Sequence, residues 1–110
     1  MIASDIKHLD LIFAALANAK RRGMVEVLSY SPATVSFLAD QYQLSLPAAH
    51  KHIRALEQAK LIVRKKVGRT NFVALSGGSL LMLQRWSGQF NPSWASDNAS
   101  LDNYIASMTG

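Results

Sequence analysis

The sequence predicts a mainly α-helical fold with one small β-hairpin, and three observations lead there. Apolar residues recur at helical spacing over most of the chain, as in Leu9, Ile12, Phe13 and Leu16, or Ala49, Ile53 and Leu56. Only the stretch from Leu61 to Leu75 switches to a period of two, and Gly68-Arg69 interrupts it at its middle. With 110 residues, 49% of them apolar, the chain has material for one core and hardly for two, so a single domain over 1–110 is expected.

The first helix starts at Ser4 or Asp5, either of which can cap it. It carries Ile6, Leu9, Ile12, Phe13 and Leu16 to an end near Asn18. This stripe is broader than a small core needs, so part of it is left for a partner subunit. The second helix runs from Lys20 to about Ser29, with Asn18 as its cap and Met24, Val27 and Leu28 pointing inward. Lys20, Arg21 and Arg22 sit at its start, against the helix dipole. That placement points to an ion pair with a carboxylate such as Glu26 or Asp40, or to a phosphate contact. Ser29 to Thr34, which contains Ser31-Pro32, reads as a loop. Val35, Leu38, Ala39 and Tyr42 form the inner stripe of a short third helix, and Gln41 to Leu44 is the turn that follows.

The fourth helix runs from Ser45, a good N-cap, to about Lys60, and Pro47 fits its first turn. At about 100° per residue, Ala49, Ile53, Leu56 and Lys60 share the core face. Pro47, His50, Lys51, Arg54 and Gln58 gather opposite, beside small Ala48, and a basic helix of this width suits the major groove of DNA. His52 falls at the edge of the core and reads as structural. In the hairpin, Leu61 to Val67 and Thr70 to Leu75 flank a type II′ turn at Gly68-Arg69, with Arg64, Lys65 and Lys66 near the tip. Ser76-Gly77-Gly78-Ser79 is a linker, and Ser79 is placed to cap a helix from Leu80 to Phe90. That helix is apolar most of the way round, so a second copy of the chain is expected to cover it. Asn91-Pro92 stops it and opens a last helix with Trp94, Leu101, Tyr104, Ile105 and Met108; the tryptophans favour docking over a frayed tail.

Helix, turn, basic helix and basic hairpin, in that order, make a winged helix-turn-helix, with the helix-turn-helix over 34–60 and the wing over 61–75. The net charge is +5, yet residues 45–72 hold seven of the twelve Lys and Arg against the single acid Glu57, so the rest of the chain is slightly negative. A cationic zone confined to one helix and its neighbouring hairpin is the footprint of a phosphate backbone. The alternative is an interaction module whose basic face binds an acidic protein, or nucleic acid without sequence preference. Enzyme chemistry is not indicated, because Asp and Glu are scattered singly and no Gly-rich phosphate loop follows a strand. Zero cysteines exclude a disulfide framework and thiol redox sensing. No apolar run is long enough for a membrane span, and Met1 to Asp5 lacks the pattern of a signal peptide, so a cytoplasmic protein is expected.

The runs Leu11 to Arg22 (LIFAALANAKRR), Leu38-Ala39, Leu44 to Ile62 (LSLPAAHKHIRALEQAKLI) and Gly68-Arg69 resemble the ArsR-type winged-helix repressors of prokaryotes. The likeness spans roughly residues 9–90 and is strongest to the branch without metal ligands that ends in a Trp-rich helix. It implies a homodimer built through helices at about 1–17 and 79–108, with Leu9, Ile12, Phe13, Leu80, Leu83, Trp86 and Phe90 at the interface. It further implies repression from a palindromic operator in double-stranded DNA. Ser45, Pro47, Ala48, His50, Lys51 and Arg54 match its recognition helix, and Arg64, Lys65, Lys66, Arg69 and Thr70 match its wing. Thr34 and Ser36 stand where metal-sensing members carry cysteines, and the helix over 80–90 lacks the acid and histidine ligands of their other site, so neither metal nor cofactor is expected. Trp86, Phe90, Trp94 and Tyr104 read as dimer core, with a small-molecule pocket as the alternative. The inducing signal, whether a small-molecule or a protein effector, stays open.

Overall fold

The computed structural model describes residues 2–90 and 97–109; the expected helix start at Asn91-Pro92 and the docking of Trp94 fall outside them. Helix α1 (Ala3–Leu16) begins after Ile2, which provides no side-chain cap. Ser4 and Asp5 are therefore not its caps but lie in its first turn, where the Asp5 charge suits the dipole. The helix ends before Asn18, whose extended backbone lets its Oδ1 accept from the Lys20 and Arg21 N–H groups and cap α2 (Ala19–Tyr30).

The stretch expected to be a loop is mostly ordered structure. Ser29 and Tyr30 complete α2, and Ala33–Thr34 forms strand β1. The hairpin strands β2 (Ile62–Val67) and β3 (Thr70–Leu75) join β1 in a three-stranded antiparallel sheet of order β1-β3-β2. Ala33 faces Val73 and Thr34 faces Phe72, so the hairpin is tied to the chain just ahead of α3 (Val35–Gln41). Val67 pairs with Thr70 across the two-residue turn, and Gly68 has φ +62°, as a II′ turn demands of its first central residue.

Two helices stop in the same manner. After α3 the Leu44 N–H reaches back to the Ala39 carbonyl and the Gln43 N–H to Asp40, with Gln43 at φ +54°. After α4 (Leu46–Gln58) the Leu61 N–H reaches Leu56 and the Lys60 N–H reaches Glu57, with Lys60 at φ +57°. Both are Schellman closures, which satisfy the orphan carbonyls of a helix end. Lys60, expected on the core face of a longer helix, is instead exposed beyond the end of a shorter one. The left-handed turn rotates the chain out of helical phase there.

The helix after the sheet, α5 (Gly77–Gly88), starts earlier than the Ser-Gly-Gly-Ser pattern indicates. Ser79 does not cap it; it lies within the helix, 1% exposed, and its hydroxyl is drawn to the Ala59 (2.8 Å) and Lys60 (2.9 Å) carbonyls at the end of α4. His8 Nε2 joins the same cluster from α1, 3.0 Å from the Ala59 carbonyl and 2.9 Å from Ser79 Oγ. Local propensity read Ser79 as a cap; the acceptors that claim it come from another element.

Ile12, Met24, Leu38, Ile53, Leu56, Leu61, Ile62 and Val73 are sealed from water between α1, α2, α3, α4 and the sheet. Leu9 and Ile12, expected at a subunit interface, belong to this core, with Ile12 sealed and Leu9 only 6% exposed. What α1 does expose is Ile2, Ile6, Leu11 and Phe13. Phe13 meets Trp86 edge-on at 5.3 Å and Trp86 meets Phe90 likewise at 5.1 Å, an aromatic ladder that joins α1 to α5. Leu80 and Leu83 pack partly against the core. The final helix α6 (Asp97–Thr109) exposes Leu101, Tyr104, Ile105 and Met108. The radius of gyration is 19.1 Å, against about 13 Å for a compact chain of this length. Among the described residues no helix is long and apolar enough to cross a membrane.

Candidate nucleic-acid interface

Helix α4 is anchored at its start by Ser45, whose hydroxyl accepts from the Ala48 N–H at 3.3 Å, and Pro47 sits in the first turn where no donor is missed. Ala49, Ile53 and Leu56 fix one face in the core. Pro47, Lys51 and Arg54 consequently face water, with Ala48 and His50 half-buried beside them. Lys65, Lys66, Arg69 and Thr70 are exposed on the wing. A cleft of about 340 Å³ between the wing tip and the starts of α3 and α4 is lined by Leu46, His50, Arg69, Thr70 and Asn71 among others, so helix and wing border one concavity.

The expected interface residues fall into two groups. Among the described residues, the side chains of Lys51, Arg54, Lys65, Lys66 and Arg69 make no hydrogen bond or ion pair within the chain. Their charges are available to a polyanion. Arg64 is engaged: Nη2 donates to Glu57 Oε1 at 2.9 Å, Nε to Oε2 at 3.4 Å, and Nη1 to His50 Nδ1 at 3.2 Å. It braces the wing against α4, and the pairing follows from Glu57 lying on the turn of α4 nearest β2.

A second brace was not legible in the sequence as such. Arg21 donates Nε to the Ala15 carbonyl at 2.7 Å and Nη2 to Ala14 at 3.2 Å, while Arg22 reaches Leu16 at 2.8 Å. Cations at the start of α2 thus serve the negative end of α1, not the expected Glu26 or Asp40 carboxylate. Arg21 Nη1 also donates to His52 Nδ1 at 3.2 Å, fastening α4 to the α1–α2 corner. Burial, followed by the charges of Arg21, Lys20 and Lys51, holds the His52 pKa below the usual imidazole value, which keeps Nδ1 an acceptor. Thr34, one of the positions matched to a metal-sensing cysteine, uses its hydroxyl to cap α3 at the Phe37 N–H, 3.0 Å away. Among the described residues no three His, Asp or Glu side chains gather in metal-binding geometry.

Residues 16–65 match a family model described as a helix-turn-helix domain. The HTH-type transcriptional regulator Rv2034 of Mycobacterium tuberculosis is 32% identical over 81 residues, which are 74% of this chain and 76% of that protein. The crystal structure of an ArsR family transcriptional regulator superposes with a TM-score of 0.75 at 35% identity, covering 84% of this chain and 95% of that one. The solution structure of the homodimeric winged helix-turn-helix DNA-binding domain Mb0332 from Mycobacterium bovis shares the fold at 19% identity, with a TM-score of 0.66 over 79% of this chain and 82% of that one. The exposed cations on α4 and the wing therefore stand on a known regulatory scaffold, and the chain belongs to the ArsR family of winged helix-turn-helix DNA-binding transcriptional regulators.

Proposed function

We propose that this regulator is a homodimeric repressor that reads a palindromic operator through α4 and the wing. The observation that carries the reading is the exposure of Pro47, Lys51 and Arg54 on a helix whose Leu46 and His50 share a cleft with Arg69 and Thr70 of the wing, with the side chains of Lys51, Arg54 and Arg69 free of partners among the described residues. In the major groove, Arg54 or Lys51 suits the O6 and N7 acceptors of guanine. Lys65, Lys66 and Arg69 suit phosphates and the adjoining minor groove. Two copies paired through the apolar surface of α1, α5 and α6 would bring two α4 helices to successive major grooves, about 34 Å apart. The homodimeric state of the Mycobacterium bovis domain supports a two-copy assembly.

Selection from a random duplex library tests the reading. Recovered sequences should carry two inverted half-sites with centres about 10 base pairs apart. Arg54→Ala should weaken binding to the recovered duplex by about 1–3 kcal/mol and relax preference at one position of each half-site. Lys65→Ala should instead weaken all sequences alike and lower the salt slope by about one. Equal affinity for the recovered and scrambled duplexes would leave only a non-specific polyanion binder. A reporter under the recovered operator should rise in expression when the regulator is deleted; a fall would make it an activator.

A further inference from the structure

A second concavity, of about 650 Å³, lies between the C-terminal half of α2, β1 and the start of α3, and it shares Thr34 with the cleft between α4 and the wing. Its volume falls within the roughly 300–1,000 Å³ usual for small-ligand sites. Val27, Tyr30, Pro32, Phe37 and Tyr42 give it an apolar, aromatic wall, and Tyr30 is 90% exposed. Tyr42 packs partly against the core, whereas Tyr30 and Phe37, 90% and 49% exposed, serve neither the core nor the DNA-facing surface. We propose that the groove binds a small organic cation with an apolar body, such as a substituted ammonium or amidinium, and that occupancy changes the affinity of the regulator for DNA.

Charge selects that class. Glu26 is the only ionised side chain lining the groove, and among the described residues it forms no ion pair. Its neighbour is the C-terminal end of α2, whose last turn carries no basic residue, so no cationic side chain of that turn offsets the partial negative charge of the helix end, although the Ser29 hydroxyl donates to the Glu26 carbonyl. On the opposite wall, Thr34 Oγ1 already takes the Phe37 N–H in the first turn of α3. The Tyr42 phenol, on the same groove, is held above its usual pKa by burial and by the Glu26 charge. Tyr30, Phe37 and Tyr42 add ring faces that attract a desolvated cation.

The route to DNA is short and rests on the repressor reading above. Tyr42 is the last residue before the left-handed turn that leads into α4, and its ring lies so close to Gly23 that a Cβ there would stand 2.8 Å from its Cζ. β1, which floors the groove, is paired to the wing strand β3. A guest wedged between α2 and α3 therefore acts on both elements that position the basic surface.

The full chain, free of DNA, is titrated with benzyltrimethylammonium and separately with benzenesulfonate, following backbone amide NMR shifts. The cation should give saturable shifts at Val27, Tyr30, Ala33 and Phe37, with the anion at least tenfold weaker. Glu26→Gln and, on an exposed position, Tyr30→Ala should each weaken the cation at least fivefold while leaving affinity for the selected duplex within twofold. Saturating cation should shift duplex affinity of the wild-type chain at least fivefold. Absence of saturable shifts at these amides, equal binding of the two probes, or no effect of Glu26→Gln would overturn the site; binding without any change in duplex affinity would overturn its regulatory role. The titration contains no DNA, so loss of the groove and loss of operator recognition are read separately.

Discussion

At Ser79 a single hydroxyl connects the ends of α4 and α5, and His8 adds α1 to the same point. Its removal leaves the Ala59 and Lys60 carbonyls short of a donor in a buried place. Ser79→Ala should therefore destabilise the fold by about 1–3 kcal/mol, read as a lower urea midpoint with unchanged slope; an unaltered midpoint would mean that His8 alone suffices. His52 gives a pH dependence whose sign is set by burial and by Arg21, Lys20 and Lys51, all of which lower its pKa in the folded chain. In the unfolded chain the imidazole takes up a proton as pH falls through about 6.5, whereas the folded chain resists it. The unfolded state then binds more protons, so stability is intact above that pH and declines below it until the folded imidazole also titrates. His52→Gln should flatten this decline between pH 7.5 and 5.5; an equal slope in the variant would assign it to other groups. His52 at the core edge, the cap at Asn18 and the outward Lys51 and Arg54 follow from local spacing and were legible. The partners of Ser79, Arg21 and Arg64 lie on other elements, and nothing in the local sequence names them.

Among the elements, α4 was the most legible because its cap, first-turn proline and apolar stripe all agree. Its end was not, since the sequence offers no glycine where the chain turns left-handed at Lys60. A β-carbon in that region costs about 1–2 kcal/mol, partly offset by the freedom that glycine adds to the unfolded chain. Lys60→Gly should accordingly raise stability by up to about 1 kcal/mol in chemical unfolding, and a loss would show that the Lys60 side chain contributes more than its backbone costs. The hairpin was predictable from its alternation and from Gly68, which has φ +62°. Strand β1 was not, because two residues carry no period and their pairing with β3 is decided by tertiary approach. The same limit misplaced Leu9 and Ile12: helical spacing shows that a stripe is buried, not whether the chain itself or a second copy buries it.

For the whole molecule, the apolar surface of α1 and α5 is the feature that a single copy leaves unused. Phe13 and Phe90 flank Trp86 at 42% and 57% exposure, and α6 presents Leu101, Tyr104, Ile105 and Met108 as well. Exposed apolar area of this kind marks an interaction surface. The wild-type chain should sediment as a dimer at micromolar concentration, and Phe90→Glu should shift it towards monomer and weaken operator binding while leaving the helical spectrum intact. A wild-type monomer would remove the palindromic reading but not the winged-helix one. The two residues of β1 have a mechanical consequence on the same scale. Because Ala33 and Thr34 lock the hairpin to the lead-in of α3, and Arg64 clamps it to Glu57, the gripping parts resemble a spanner with fixed jaws. On the repressor reading, such a tool tolerates no slack, so an operator lengthened by one base pair between the stretch held by the helix and the stretch held by the wing should be rejected outright, not merely gripped less firmly.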